Sequence, residues 1–405
     1  MGQRSNVHDW LAGFVVPDAP RGADALVLAR ALVDALDSPQ RHAPAVHIVG
    51  TAGKGAAALW LTSRLVAADF AVATHMSPHV HDIRERFLVD GELPPWSEVE
   101  SAVEEVDAAV AAVEARHERR PTFFAVTAAL SWVLGRRHDV DVFVTEAGIG
   151  GRVDATAVLD RPDTLTVVTH VGLDHTDALG STVEAIAAEK AAVFEGRRVA
   201  VLGPQSSVAA TGAVRRVALA QSVELIEVDP VDGDWRAQAD ATVEAASEVL
   251  ASLLGREISS VEVGETPGRM EECTVAERIV VLDGAHNEIK LRALVESMQG
   301  RSVSTVIAAL GSGKDLERAA ALLRAFAAPV VAMEFGGEVG PRSWPAVELA
   351  RALTDAGAES VVASSVTDAV SRALSSSSEG DTILVTGSFL ILSDVLGAFG
   401  DAARS

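Results

Sequence analysis

The chain has 405 residues, 48% of them hydrophobic, with a formal net charge of −23 and one cysteine. That length exceeds one compact core and suits two domains, and so negative a field disfavours nucleic acid and anionic membranes as partners. No apolar run is long enough to span a bilayer, the start MGQRSNVHDW lacks the apolar core of a signal peptide, Asn6 breaks the myristoylation pattern, and Cys273 alone excludes an internal disulfide, so a cytoplasmic protein is expected.

Short β-branched runs alternate with longer alanine- and leucine-rich stretches, the pattern of a parallel α/β sheet. Strands are expected at 46–49, 70–74, 140–146 and 164–171, with helices at 54–68 and 122–136. After Lys190 the pattern weakens; VAVLGPQSS reads as strand and turn, and 236–254 as a helix. The polar, Gly/Pro-containing stretch GETPGRMEEC reads as a linker, with a hinge near 264–277. A second α/β series follows, with strands near 279–283, 304–310, 329–334, 359–363 and 382–386, each followed by a helix.

The stretch HIVGTAGKGAAALW runs from an apolar strand through Gly50-Thr51-Ala52-Gly53-Lys54-Gly55 into a helix. Such a turn aims backbone N–H groups and a helix N-terminus at an anion, and Lys54 adds a point charge suited to phosphates. The strict Walker pattern fails twice, because Ile48 stands where its first glycine should be and Gly55 where its Ser/Thr should be. A nucleotide loop and an ordinary glycine-rich turn both remain open on this stretch alone.

Three distant stretches, each just past an expected strand, supply what the loop lacks: Ser77 in THMSPHVHDIRERF, Glu146 in VFVTEAGIGGRVDAT, and Asp174, His175 and Lys190 in THVGLDHTDALGSTVEAIAAEKAAVF. In a parallel sheet, ligands gather beyond the carboxyl ends of the strands. A hydroxyl, a carboxylate and an imidazole there suit magnesium bridging phosphates. Each residue alone is explained by a turn cap, a strand-end charge or a loop histidine; together with the lysine loop they point to one site. His75, His79 and His81 in HMSPHVH offer a rival reading as a transition-metal cluster of a hydrolase.

GTAGKG, SPHV…RERFLVDGE, EAGIGGRVDAT, GLDHTDALGSTVEAIAAEKAAVF, PGRMEE, LDGAHN, GKD, GPRS and TGSF occur in this order over nearly the whole chain. The sequence resembles the folylpolyglutamate synthase and dihydrofolate synthase family of the Mur ligase superfamily. The resemblance implies an N-terminal P-loop-type ATPase domain with a mostly parallel sheet (residues 1–267), a hinge (268–277) and a C-terminal Rossmann-like α/β domain (278–405). It places the first magnesium on Ser77, Glu146 and His175, and makes Lys190 the lysine that carbon dioxide converts to a carbamate, an anion for a second magnesium. A carbamate forms from a neutral amine, which a nearby metal and burial favour, and Ser181-Thr182-Val183-Glu184 reads as a capping box opening the helix that carries Lys190. A monovalent cation is also admitted.

Gly50, Thr51, Ala52, Gly53, Lys54 and Gly55 then bind ATP, with Asp240 beside the adenine and Arg269 and Asp283 as further ATP contacts. His286, with Asn287, faces the cleft as a catalytic candidate; Lys314 matches the DKD region and Arg342 the PR element, both on the substrate side. Arg269 suits a closure sensor as well as a solvated linker charge. Arg84 and Arg86 are candidate contacts for an anionic acceptor, or surface charges. The implied reaction phosphorylates a carboxylate with ATP, and an amino group then displaces phosphate to form an amide. The partners are small molecules (a carboxylate acceptor, an amino acid and ATP), glutamate joining dihydropteroate or a reduced folate, in a monomer.

Ala56 after GKG, Ala157 in DATA, Asp240, and Glu288 after DGAHN depart from the family pattern, and the span between Lys190 and Arg269 is short. These departures keep two alternatives in view. One is an amino-acid ligase acting on a non-folate carboxylate; the other is a nucleotide-binding homologue without ligase activity.

Overall fold

The computed structural model describes residues 2–16, 18–261, 264, 266–336 and 342–402. Glu265 of the expected linker, and Gly340 and Pro341 of GPRS, lie outside them. The chain divides into two compact units, residues 1–77 with 83–264, and residues 78–82 with 265–405.

The first unit holds seven strands: β1 Ala45–Val49, β2 Val72–His75, β3 Phe87–Val89, β4 Val142–Glu146, β5 Leu165–Val168, β6 Val199–Leu202 and β7 Glu224–Glu227. Their order is β3-β2-β4-β1-β5-β6-β7, parallel throughout except for β3 against β2. Strands β1, β2, β4, β5 and β6 are buried along their whole length, as unbroken apolar runs must be when helices cover both faces. The edge strand β7 instead ends in two exposed glutamates, Glu224 and Glu227.

Helices Lys54–Ala67 and Trp235–Leu254 close one face, packing Leu61, Leu65, Val243 and Leu250 on Ile48, Val144, Val167 and Val201. Helix Phe123–Arg137 lies on the other, capped by Thr122, whose hydroxyl accepts from Ala125 N at 3.1 Å. It approaches the sheet so closely that a Cβ on Gly135 would sit 2.3 Å from the Phe143 ring and 2.7 Å from Ala73 Cβ. Helices Gly2–Ala12, Gly22–Ala35 and Trp96–His117 add a layer around Leu32, Val106 and Leu130 that the sequence reading did not assign. Ile48 pairs with both Glu146 and Val167, and His75 with Thr145, so β1, β2, β4 and β5 release their loops at one edge.

The second unit holds β8 Arg269–Val275, β9 Arg278–Asp283, β10 Val303–Ala308, β11 Val330–Ala332, β12 Ser360–Val362 and β13 Thr382–Thr386, ordered β12-β11-β10-β13-β9-β8. Among the described residues only β8 against β9 is antiparallel. The stretch expected to be a hinge, 268–277, is therefore corrected: most of it is an edge strand. The turn joining it to β9 is Ala276-Glu277, both left-handed at φ 47° and 62°, a two-residue hairpin turn made without the glycine or asparagine that would advertise it. Residues 78–82 belong to this unit, with Val80 in its core and His81 Nε2 2.8 Å from the Glu271 carboxylate. The outer strand β12 leaves Val361 and Val362 exposed.

Candidate active site

The turn after β1 is held from behind. Thr51 N and Ala52 N donate to His170 O at 2.8 and 3.1 Å, and the Thr51 hydroxyl donates to Gly172 O at 3.1 Å. Thr169 Oγ1 donates to Ala52 O at 2.8 Å and lies where a side chain at Gly50 would go, 1.9 Å from its Cβ position. Thr51 and Ala52 thus brace the loop with groups expected to face phosphate. The groups placed to meet an anion are the N–H of Lys54, Gly55 and Ala56, which open the helix after Gly53 at φ 86° and have no intrahelical acceptor.

Glu146, at the end of β4 and 3% exposed, is the centre of the site. Its Oε1 lies 3.7 Å from Lys54 Nζ, and its Oε2 accepts from Ser77 N at 2.8 Å. Three residues expected on separate loops therefore meet directly. The Glu146 carboxylate is close enough to favour the charge of Arg86, but burial outweighs it and lowers the Arg86 pKa to about 10. His175 follows β5, left-handed at φ 49° at the head of the short helix Thr176–Leu179, with an exposed side chain and its Nε2 3.8 Å from Asp174 Oδ2. A carboxylate and a hydroxyl at one sheet edge are hard oxygen donors of the kind magnesium takes, and the imidazole on the next loop is a borderline nitrogen donor, so it is the two oxygen donors that fit the ion the sequence implied.

Loop 147–154 connects this carboxylate to Lys190. Asp154 gathers the loop by accepting from Gly148 N at 3.0 Å and Ile149 N at 2.9 Å. Gly151 lies against the backbone of Lys190, leaving 2.6 Å between its Cβ position and the Lys190 carbonyl oxygen. Arg152 N donates to Glu189 Oε1 at 3.1 Å. Lys190 itself is 4% exposed on helix Val183–Ala191, which excludes a solvated helix-face lysine. The cap of that helix is Thr182, accepting from Ala185 N at 3.2 Å, one residue later than the capping box expected at Ser181.

Other expectations are relocated. Asp240 forms an ion pair at 2.7 Å with the buried Arg64, ten residues and hence about 15 Å of helix beyond Lys54. Arg84 stacks on Trp96 at 4.5 Å and donates to Pro94 O at 3.1 Å, and Arg86 lies over Phe123 at 5.0 Å, so neither is a bare surface charge. The histidine cluster is not assembled. His75 is buried, donates through Nδ1 to Arg86 O at 2.8 Å, and burial drops its pKa to about 3. Among the described residues no three His, Cys, Asp or Glu side chains are placed to share a metal ion.

In the second unit, Arg269 and Asp283 face each other across β8 and β9. Asp283 accepts from Met270 N at 2.9 Å and Ala285 N at 2.8 Å, while burial pushes its pKa up to about 6. His286 donates from Nδ1 to Gly284 O at 2.7 Å, which leaves Nε2 as the acceptor 3.3 Å from Lys290 Nζ. Phe389 lies under both Arg269 (4.9 Å) and His286 (6.2 Å). Asn287 caps helix Glu288–Ser297, and Glu288 pairs with Arg292 and Arg318. Lys314 and Arg342 stand on facing turns, joined by Ser312 N to Arg342 O at 2.9 Å and Trp344 Nε1 to Lys314 O at 3.0 Å.

A lysine-bearing phosphate loop with a buried carboxylate in one α/β unit, and the DGAHN strand end in another, define an ATP-dependent acid–amino-acid ligase of the Mur type. Residues 268–389 match the family described as Mur ligase, glutamate ligase domain. The Escherichia coli dihydrofolate synthase/folylpolyglutamate synthase is 31% identical over 392 residues, covering 88% of this chain and 87% of that one. A probable bifunctional folylpolyglutamate synthase/dihydropteroate synthase of Halobacterium salinarum is 31% identical over 90% of this chain, which spans 48% of that protein's length. The structure of E. coli FolC in complex with DHPP and ADP superposes with a TM-score of 0.83 at 25% identity, covering 99% of this chain and 98% of that one. The chain belongs to the folylpolyglutamate synthase/dihydrofolate synthase family.

Proposed function

We propose that this chain uses ATP to join glutamate to a pterin-type carboxylate, dihydropteroate or a reduced folate. The observation that carries this reading is the buried Glu146 held between Lys54 Nζ and Ser77 N at the mouth of the phosphate loop. The carboxylate takes the γ-phosphoryl group of ATP, giving an acyl phosphate and ADP. The amine then forms the amide bond as phosphate leaves, releasing a proton. Lys54 and the N–H groups opening its helix hold the phosphates. Glu146, Ser77 and His175 would hold the first magnesium, and Lys190, as its carbamate, the second. Magnesium supplies neutralisation of the charge on the transferring phosphoryl group.

In the second unit Arg269 offers a cation to nucleotide phosphate, and His286, held by Gly284 O on one ring nitrogen and beside Lys290 Nζ on the other, is the catalytic candidate. Lys314 and Arg342 supply cations for substrate carboxylates. A cytoplasmic monomer suits soluble substrates of this kind, and no described helix is long and apolar enough to cross a membrane. The test is ADP release with magnesium, ATP and bicarbonate, using dihydropteroate and tetrahydrofolate with and without glutamate, and products identified by mass spectrometry. A glutamyl amide is the expected product. ATP binding with no amide from either acceptor would redirect the reading to a non-folate carboxylate.

A further inference from the structure

A chain of hydrogen bonds runs from the loop behind Glu146 back into the middle of β1. Asp154 Oδ2 accepts from Gly148 N and Ile149 N, and its Oδ1 accepts from Thr156 N at 2.9 Å and from the Thr156 hydroxyl. That hydroxyl oxygen lies 2.8 Å from His47 Nε2. Thr156 has one hydroxyl proton and gives it to Asp154, so it can only accept from His47, which places the imidazole proton on Nε2. The other ring nitrogen, Nδ1, is buried without a hydrogen-bond partner, tolerable for a bare lone pair and costly for an N–H. Burial keeps the ring neutral, with its pKa near 3, consistent with a single proton.

His47 is also out of keeping with its strand. Its neighbours in β1 are Ala45, Val46, Ile48 and Val49, all buried. A buried imidazole costs free energy that an aliphatic side chain would not, unless its hydrogen bond is used. We propose that His47 is a positioning residue for the metal side of the active site. Through Thr156 and Asp154 it fixes the backbone of residues 148–149, directly behind Glu146, and with it the loop that abuts Lys190. This inference rests on the reading that Glu146 and Lys190 hold magnesium.

The test is direct Mn2+ binding by electron paramagnetic resonance in the presence of a non-hydrolysable ATP analogue, with metal-free nucleotide binding and Tm measured in parallel. His47→Leu is expected to weaken Mn2+ binding about 10-fold or more, as loss of an outer partner does, while metal-free nucleotide binding is unchanged. His47→Gln, whose amide N–H reaches Thr156, restores Mn2+ affinity. Unchanged Mn2+ affinity in His47→Leu, or equal loss in both variants, reduces His47 to core packing and overturns the inference. Glu146→Gln separates the two readings: if it binds Mn2+ like the wild type, the metal assignment itself fails. Should His47→Leu not fold, Thr156→Val against Thr156→Ser makes the same comparison from the other end of the chain.

Discussion

On the proposed function, Lys54 is the residue on which phosphate chemistry depends most directly. Replacing it with methionine removes the charge and keeps the length, and is expected to lower kcat by about 10²–10³-fold, in line with the loss of one preorganised charge partner; steady-state ADP release reads the change. Gly50 is equally intolerant for a steric reason, since its φ is 154° and any Cβ collides with Thr169 Oγ1. Gly50→Ala should abolish nucleotide binding by calorimetry and lower Tm together. At this scale the sequence was legible where a residue sits at or soon after a strand's end and belongs to a short motif, as Glu146, Ser77 and Lys54 do. It was silent where a partner is remote. Thr156 lies 109 residues from His47, and Arg64 176 residues from Asp240, too far for spacing to reveal what either acid or histidine touches.

Elements were legible where burial is two-sided. A short unbroken β-branched run bounded by glycine or a charge reads as an inner parallel strand, and β1, β4 and β13 match their expected bounds within two residues. The antiparallel edge strands β3 and β8 escaped because they are half-exposed or short, and because Ala276-Glu277 adopts a turn its residue types disfavour. The close contact of helix Phe123–Arg137 with the sheet gives a prediction that opposes propensity. Alanine is favoured over glycine in a helix by about 1 kcal/mol, yet Gly135→Ala inserts a methyl group into Phe143 and Ala73. Overpacking of that kind costs about 1–3 kcal/mol, so urea unfolding should show net destabilisation.

At the scale of the whole molecule, charge decides the response to solvent. Asp283 has its pKa raised from 3.8 to about 6 by burial. A raised value means that the protonated form favours folding, so its contribution is full below the ordinary value and is lost as pH rises through about 6. At about 1.4 kcal/mol per tenfold this amounts to at most about 3 kcal/mol; Asp283→Asn should flatten that part of the stability–pH curve measured by chemical unfolding. The net charge of −23 repels itself, so raising salt from about 10 mM to about 150 mM, which cuts the screening length from about 30 Å to about 8 Å, should raise Tm. Repulsion also guards the sheet margins unevenly. Strand β7 presents Glu224 and Glu227 at its rim, whereas β12 presents Ser360, Val361 and Val362 with no charge among them. An uncharged, β-branched rim is where one sheet can extend into another copy's. When salt mutes the overall field, coagulation of concentrated stock would begin at β12, and a lysine at Val361 would delay it.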